Sequence, residues 1–185
     1  GVVHHYVEMG IAGCREVVRE LNTQLDDDYD VLCCSTGTGA TLAGLSSALH
    51  DETGRGSSNK TVRGYCALKL PESDTDSPLS SDIRSFIRGA RSRTDHIKSQ
   101  ASEDNWTLET AYHFGGYARV DQELVDFIKR FRHEQDIMLD AVYTGKMFYG
   151  LFEQIRQGHF DRGTTIVALH SGGLQGNRGF ARHGL

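Results

Sequence analysis

Residues 35–41 read Ser-Thr-Gly-Thr-Gly-Ala-Thr, a combination suited to holding a phosphate. Glycines at 37 and 39 let successive backbone N–H groups converge on one point, and a helix starting directly afterwards adds the positive end of its dipole. The hydroxyls of Thr38 and Thr41 supply further donors. The spacing excludes two familiar phosphate loops. A P-loop requires a Gly-Lys-Ser/Thr ending, and no lysine is near. A dinucleotide fingerprint requires a third small residue where Leu42 stands, and an acidic residue about twenty positions on that is missing. The plain alternative is a tight strand-to-helix turn with no ligand.

Two further turns carry functional side chains. Tyr143-Thr144-Gly145-Lys146 opens a helical stretch, and His170-Ser171-Gly172-Gly173 closes an apolar run. Each is commonplace alone; together, three small-residue turns at strand ends enclose one pocket. His4, His5, His113 and His170 lack any metal-ligand spacing and read as ordinary loop or surface histidines.

The elements that must position these turns follow from hydrophobic periodicity. The opening run Val2–Val7 reads as extended. Residues 13–24 place Cys14, Val17, Val18 and Leu21 on one helical face, and the acidic run 26–28 ends that pattern. Residues 30–34 form a strand, and 40–49 a helix. A polar loop over 51–60 leads to a second strand over 61–68, and an acidic, Ser-rich loop over 71–78 precedes a helix over 81–91 bearing Ile83, Phe86, Ile87 and Ala90. Residues 106–120 are irregular or partly extended. A helix over 121–134 buries Leu124, Val125, Ile128 and Phe131. Residues 137–142 are a strand candidate, a helix runs from there to about residue 157, and residues 165–170 are the last strand. Strands alternating with helices imply an α/β fold with a parallel sheet covered by helices, whose ligand site lies beyond the carboxyl ends of the strands.

Bulk composition sets limits. The 185 residues suffice for one domain with a real core, and 38% hydrophobic and 24% charged residues are ordinary for a soluble globular chain. A net charge of −5 argues against a nucleic-acid partner, which needs a basic footprint. No apolar run approaches a membrane span. The four cysteines, Cys14, Cys33, Cys34 and Cys66, form no CxxC pair and read as buried reduced thiols of a cytoplasmic protein.

The order Thr36-Gly37-Thr38-Gly39-Ala40-Thr41-Leu42-Ala43-Gly44, then Ala141–Lys146, then His170–Gly173, resembles the D-cysteine desulfhydrase and 1-aminocyclopropane-1-carboxylate (ACC) deaminase family. These are pyridoxal phosphate (PLP) enzymes of the tryptophan-synthase-β fold type (fold type II), and the resemblance covers essentially the whole chain. It implies that residues 1–185 are part of the PLP-binding large domain. The backbone of Gly37, Thr38, Gly39, Ala40 and Thr41 would then hold the PLP phosphate, with Thr144 also on the cofactor side. Ser171 would face the pyridine nitrogen, and Tyr143 and Tyr117 would be the catalytic side chains on the substrate side. ACC deaminases resemble one another in having Glu after the first tyrosine and Leu after the final His; Thr144 and Ser171 instead resemble the desulfhydrase pattern. The implied reaction is α,β-elimination of D-cysteine to pyruvate, ammonia and sulfide, with ACC deamination as the alternative.

The family's PLP-bearing lysine lies near its N-terminus, ahead of a Ser-Asn-His stretch that this sequence lacks. Lys146 corresponds to a helix position that does not carry PLP. The chain is therefore expected to be a C-terminal piece that does not turn over D-cysteine alone, from a full-length homodimer acting on a small amino acid. Two other readings are a non-catalytic phospholigand-binding module and an unrelated α/β nucleotide-binding domain.

Overall fold

The computed structural model describes residues 2–25, 28–52, 60–71, 77–91 and 105–185. Most of the loop expected over 51–60, most of that over 71–78, and acidic positions 26 and 27 lie outside the described residues. Among the described residues, four strands, β1 (Val31–Thr36), β2 (Thr61–Cys66), β3 (Trp106–Glu109) and β4 (Ile166–Ala168), form one sheet in the order β3-β2-β1-β4. Every pairing is parallel, with Val31 opposite both Thr61 and Ile166, and Val62 opposite Trp106. The helices are α1 (Val2–Gln24), α2 (Ala40–Glu52), α3 (Pro78–Arg91), α4 (Gln122–Gln135) and α5 (Thr144–Arg156), and a 3-10 helix spans Leu174–His183.

Strand β1 is apolar on both sides because both sides are covered. Leu32 and Cys34 join Val18, Leu42, Leu45, Leu49 and Ile83 on the α1–α3 face. Val31 and Cys33 meet Met147 and Leu151 of α5 on the other. Such two-sided burial is what a central parallel strand requires. Helix α2 packs on β1 and β2 and is covered by α1 and α3, so residues 42–49 are buried all round. Ser46 is accommodated there by donating to Asn105 Oδ1 at 2.6 Å, which also ties α2 to the entry of β3. Helix α3 starts on Pro78, where the missing N–H costs nothing, and the Ser77 hydroxyl accepts the Ser80 N–H at 3.1 Å. Helix α4 is capped by Asp121, which accepts the Leu124 N–H at 3.0 Å, and its stripe Leu124, Val125, Phe127, Ile128 and Phe131 is buried.

Two expectations are corrected. Residues 2–7 are the first turns of α1, not extended backbone. A short apolar run does not separate strand from helix by periodicity, and here it is continuous with the helix over 13–24. Residues 137–142 form no strand. The Ala141 N–H goes to Asn177 Oδ1 at 2.9 Å, and the Val142 N–H goes to Asp140 Oδ1 at 2.9 Å. Side chains thus take the donors that a strand partner would need.

Candidate active site at the carboxyl edge of the sheet

Because all four strands run the same way, the turns leaving them meet at one edge. The exit of β1 is Gly37, that of β2 is Ala67 to Lys69, that of β3 leads to residues 112–117, and that of β4 leads to His170 and Ser171. Tyr143, immediately before α5, closes over the first of these. A Cβ built on Gly37 would lie 3.1 Å from Tyr143 Cε1 and 3.3 Å from its hydroxyl, so the ring rests directly on the glycine turn. The Tyr117 ring stands edge-on to Tyr143 with centroids 6.0 Å apart.

The turn itself is shaped for an anion. Gly39 has φ +85°, and a Cβ there would meet Ile83 Cγ1 at 2.5 Å, so only glycine fits. The first intrahelical bond of α2 runs from the Ala43 N–H to the Gly39 carbonyl at 2.9 Å. The N–H groups of residues 40–42 precede that bond and have no partner within the helix. No acidic side chain occupies the first turn of α2. Thr38 and Thr41 are exposed beside these donors. Backbone donors, a helix N-terminus, two accessible hydroxyls and a glycine whose missing side chain leaves room beneath a tyrosine fit a phosphate monoester.

Tyr143 owes its position to Asp140. That carboxylate is 1% exposed and accepts the N–H groups of Val142, Tyr143 and Thr144 at 2.9, 2.7 and 2.8 Å. It also accepts the Thr144 hydroxyl at 2.6 Å. Thr144 is fully buried, so its hydroxyl serves the turn and is not presented at the cleft. Burial, followed by the neighbouring Tyr117 phenol and the Asp140 charge, pushes Tyr143 above the ordinary phenol range. Tyr143 therefore stays a phenol at neutral pH, a hydrogen-bond and proton donor. Burial, with Lys69 and Lys146 adding to it, holds His113 below its usual value, so it is neutral.

Ser171 is exposed on a segment anchored by His170. His170 Nδ1 accepts the Gly172 N–H at 3.2 Å, which leaves Nε2 to donate to the Met138 carbonyl at 2.8 Å. Behind it, a Cβ on Gly173 would lie 3.3 Å from Asp140 Oδ2. The structure thus joins Gly37, Tyr117 and Tyr143 directly, and links the β4 exit to the Tyr143 turn through Asp140. Sequence reasoning missed Asp140 and Asn177. Asp140 carried a local signal, an acidic side chain just ahead of a helix start; Asn177 carried none. Among the described residues, no cluster of His, Cys, Asp or Glu has the makings of a metal site, and no helix is long and apolar enough to cross a membrane.

The family model described as "Pyridoxal-phosphate dependent enzyme" matches residues 1–172. A Pyrococcus horikoshii protein provisionally named a 1-aminocyclopropane-1-carboxylate deaminase is 29% identical over 174 residues, covering 91% of this chain and 47% of the relative. A Rhizobium rhizogenes protein named 1-aminocyclopropane-1-carboxylate deaminase is 24% identical over 179 residues, covering 97% of this chain and 50% of the relative. A crystal structure titled as an ACC deaminase homologue superimposes with a TM-score of 0.78 at 27% identity, over 95% of this chain and 50% of that one. The chain spans about half the length of the relatives it matches. With a matched region that takes in the glycine turn, both tyrosines and Ser171, the chain belongs to the pyridoxal-phosphate-dependent enzyme family and is related to the ACC deaminases.

Proposed function

We propose that the chain supplies the phosphate cradle and the tyrosine face of a PLP-dependent lyase that converts D-cysteine and water to pyruvate, ammonia and sulfide. One observation carries this reading: the phenol of Tyr143, held above its ordinary range, is positioned by a buried carboxylate directly over the glycine turn. PLP, when bound, supplies the electron sink that makes breaking bonds around the amino-acid α-carbon feasible. The cradle of Gly37, Thr38, Gly39, Ala40 and Thr41 would bind its phosphate through N–H groups and hydroxyls. Ser171 would offer its hydroxyl to the ring nitrogen. Tyr143 would hold a proton at its phenol oxygen for delivery toward the substrate, and Tyr117 would line the opening and orient the substrate carboxylate.

Lys146 is not proposed to bear PLP, since it is buried with its ammonium bound to backbone carbonyls. Elimination is preferred over ring opening because the position after Tyr143 presents no carboxylate: Thr144 folds back onto Asp140. The names of the relatives favour a second reading, ACC deamination. The full-length protein loaded with PLP distinguishes the two. The expected outcome is sulfide release from D-cysteine with a kcat/KM at least about tenfold above that for ammonia release from ACC. The opposite ratio assigns ACC deamination, and turnover of neither rejects both.

A further inference from the structure

We propose that Lys146 is a positioning residue of this cleft: its ammonium gathers the carbonyls of His113, Gly116 and Ala67, and thereby holds Tyr117 against Tyr143. The inference rests on the proposed function only for what the tyrosine pair faces. Lys146 lies in the first turn of α5 and is 1% exposed. Its Nζ donates to the Gly116 carbonyl at 2.6 Å and the His113 carbonyl at 2.8 Å, with a longer contact of 3.5 Å to that of Ala67. An ammonium has three donors and no acceptor, so three carbonyls satisfy it completely. A methionine of similar length would fill the space and bind none of them.

The loop that supplies two of these carbonyls is one that the chain would not choose unaided. Phe114 and Ala118 have φ 52°, and Gly116 has φ 112°. Two side-chain-bearing residues in the left-handed region within five positions persist only where the surroundings over-determine them. Gly116 also lies against the β2 exit, where a Cβ would come within 3.3 Å of the Lys69 backbone nitrogen. Tyr117 follows directly and is 59% exposed, so packing does little to fix it. Its placement follows from the loop backbone, and the loop backbone is turned inward onto Lys146. Because Lys146 stands three residues after Tyr143, one side chain sets the distance between the two phenols.

The surrounding charges suit an ammonium at neutral pH. Burial lowers Lys146 to about 8, and Asp140, Cys66 and Asp121 oppose that fall. Burial, with Lys69 and Lys146 adding to it, lowers His113, so at neutral pH its ring adds no second positive charge beside Lys146.

The test uses the full-length protein carrying 15N-lysine and 3-fluorotyrosine, first without PLP. Wild type is expected to show one lysine NH3+ signal at neutral pH that exchanges slowly with solvent and couples to backbone carbonyls. Its absence overturns the proposal, and this measurement needs no variant that must fold. In folded Lys146→Met, the Tyr117 fluorine signal should shift to that of a free, solvated tyrosine and the Tyr143 signal should move with it; two unmoved signals overturn the proposal. With PLP bound, K146M should raise KM for the amino acid by about tenfold or more with PLP affinity little changed. Failure of the wild type to bind PLP would refute the cofactor reading while leaving the lysine and fluorine results intact, so the two failures are distinct.

Discussion

Replacing Asp140 with alanine should be among the most damaging single changes available in this domain, and the size of the loss follows from four hydrogen bonds. The carboxylate accepts three N–H groups at 2.7–2.9 Å and one hydroxyl at 2.6 Å while 1% exposed. Each orphaned buried donor costs about 1–3 kcal/mol. The full sum is not reached, because Tyr143 is only half-buried and water can reach its N–H, and because the Thr144 hydroxyl can rotate to its own neighbours. A loss of about 3–5 kcal/mol is expected, carried mainly by the buried N–H groups of Val142 and Thr144. For a domain of this size that corresponds to a fall in Tm of about 6–20 °C. Asp140→Asn separates the contributions. Its remaining oxygen still serves Val142 and Tyr143, whereas its NH2 faces the Thr144 N–H, so it should lose about half as much as alanine. Urea unfolding of the full-length protein and its two variants checks the order. An alanine variant that loses less than about 1 kcal/mol, or an asparagine variant as damaged as the alanine one, would refute the assignment of this carboxylate as the device that folds the Tyr143 turn.

Gly39→Ala must place a side chain at φ +85° and 2.5 Å from Ile83 Cγ1, so it should cost about 2–4 kcal/mol and weaken PLP binding; unchanged urea midpoint and cofactor titration would count against the glycine turn as drawn. Lys146 makes a pH prediction whose sign runs opposite to that of a bridged lysine. Its folded value, about 8, lies below the ordinary 10.5, so the unfolded chain holds the proton longer and this group's contribution to stability rises from pH 8 to 10.5, by about 3 kcal/mol in all. The stability of wild type relative to K146M should therefore climb over that window, and a flat difference would refute the buried ammonium. All four cysteines are buried and free, and burial pushes Cys14 up to about 11 and Cys33 and Cys34 up to about 12. Cys14, Cys33 and Cys34 should resist a thiolate-specific reagent at pH 8 by about 100-fold or more relative to free cysteine until the protein unfolds; their rapid labelling in the native protein would contradict the packing of β1.

What the sequence showed and what it concealed divide along a physical line. The helix over 13–24, the glycine turn after β1 and the buried stripe of α4 rest on spacing within a dozen residues, and each appears where periodicity or turn chemistry put it. Residues 137–142 had the composition of a strand, yet the partner that takes the Ala141 N–H is Asn177, 36 positions further on, and no local pattern announces it. Lys146 looked like any helix lysine, although its tip reaches Ala67, 79 positions earlier. Asp140 was the one supporting residue with a local cue, since a carboxylate just before a helix start often captures its free N–H groups. The residue types gathered at this cleft (phenols, hydroxyls and a glycine turn) were thus readable from short motifs, because those motifs must offer particular atoms. The distances between the motifs are set by buried polar contacts across long sequence separations. It follows that variants at Asp140, Lys146 and Asn177 should disturb where the phenols stand without altering what they are, a separation that catalysis and cofactor binding measured side by side would reveal.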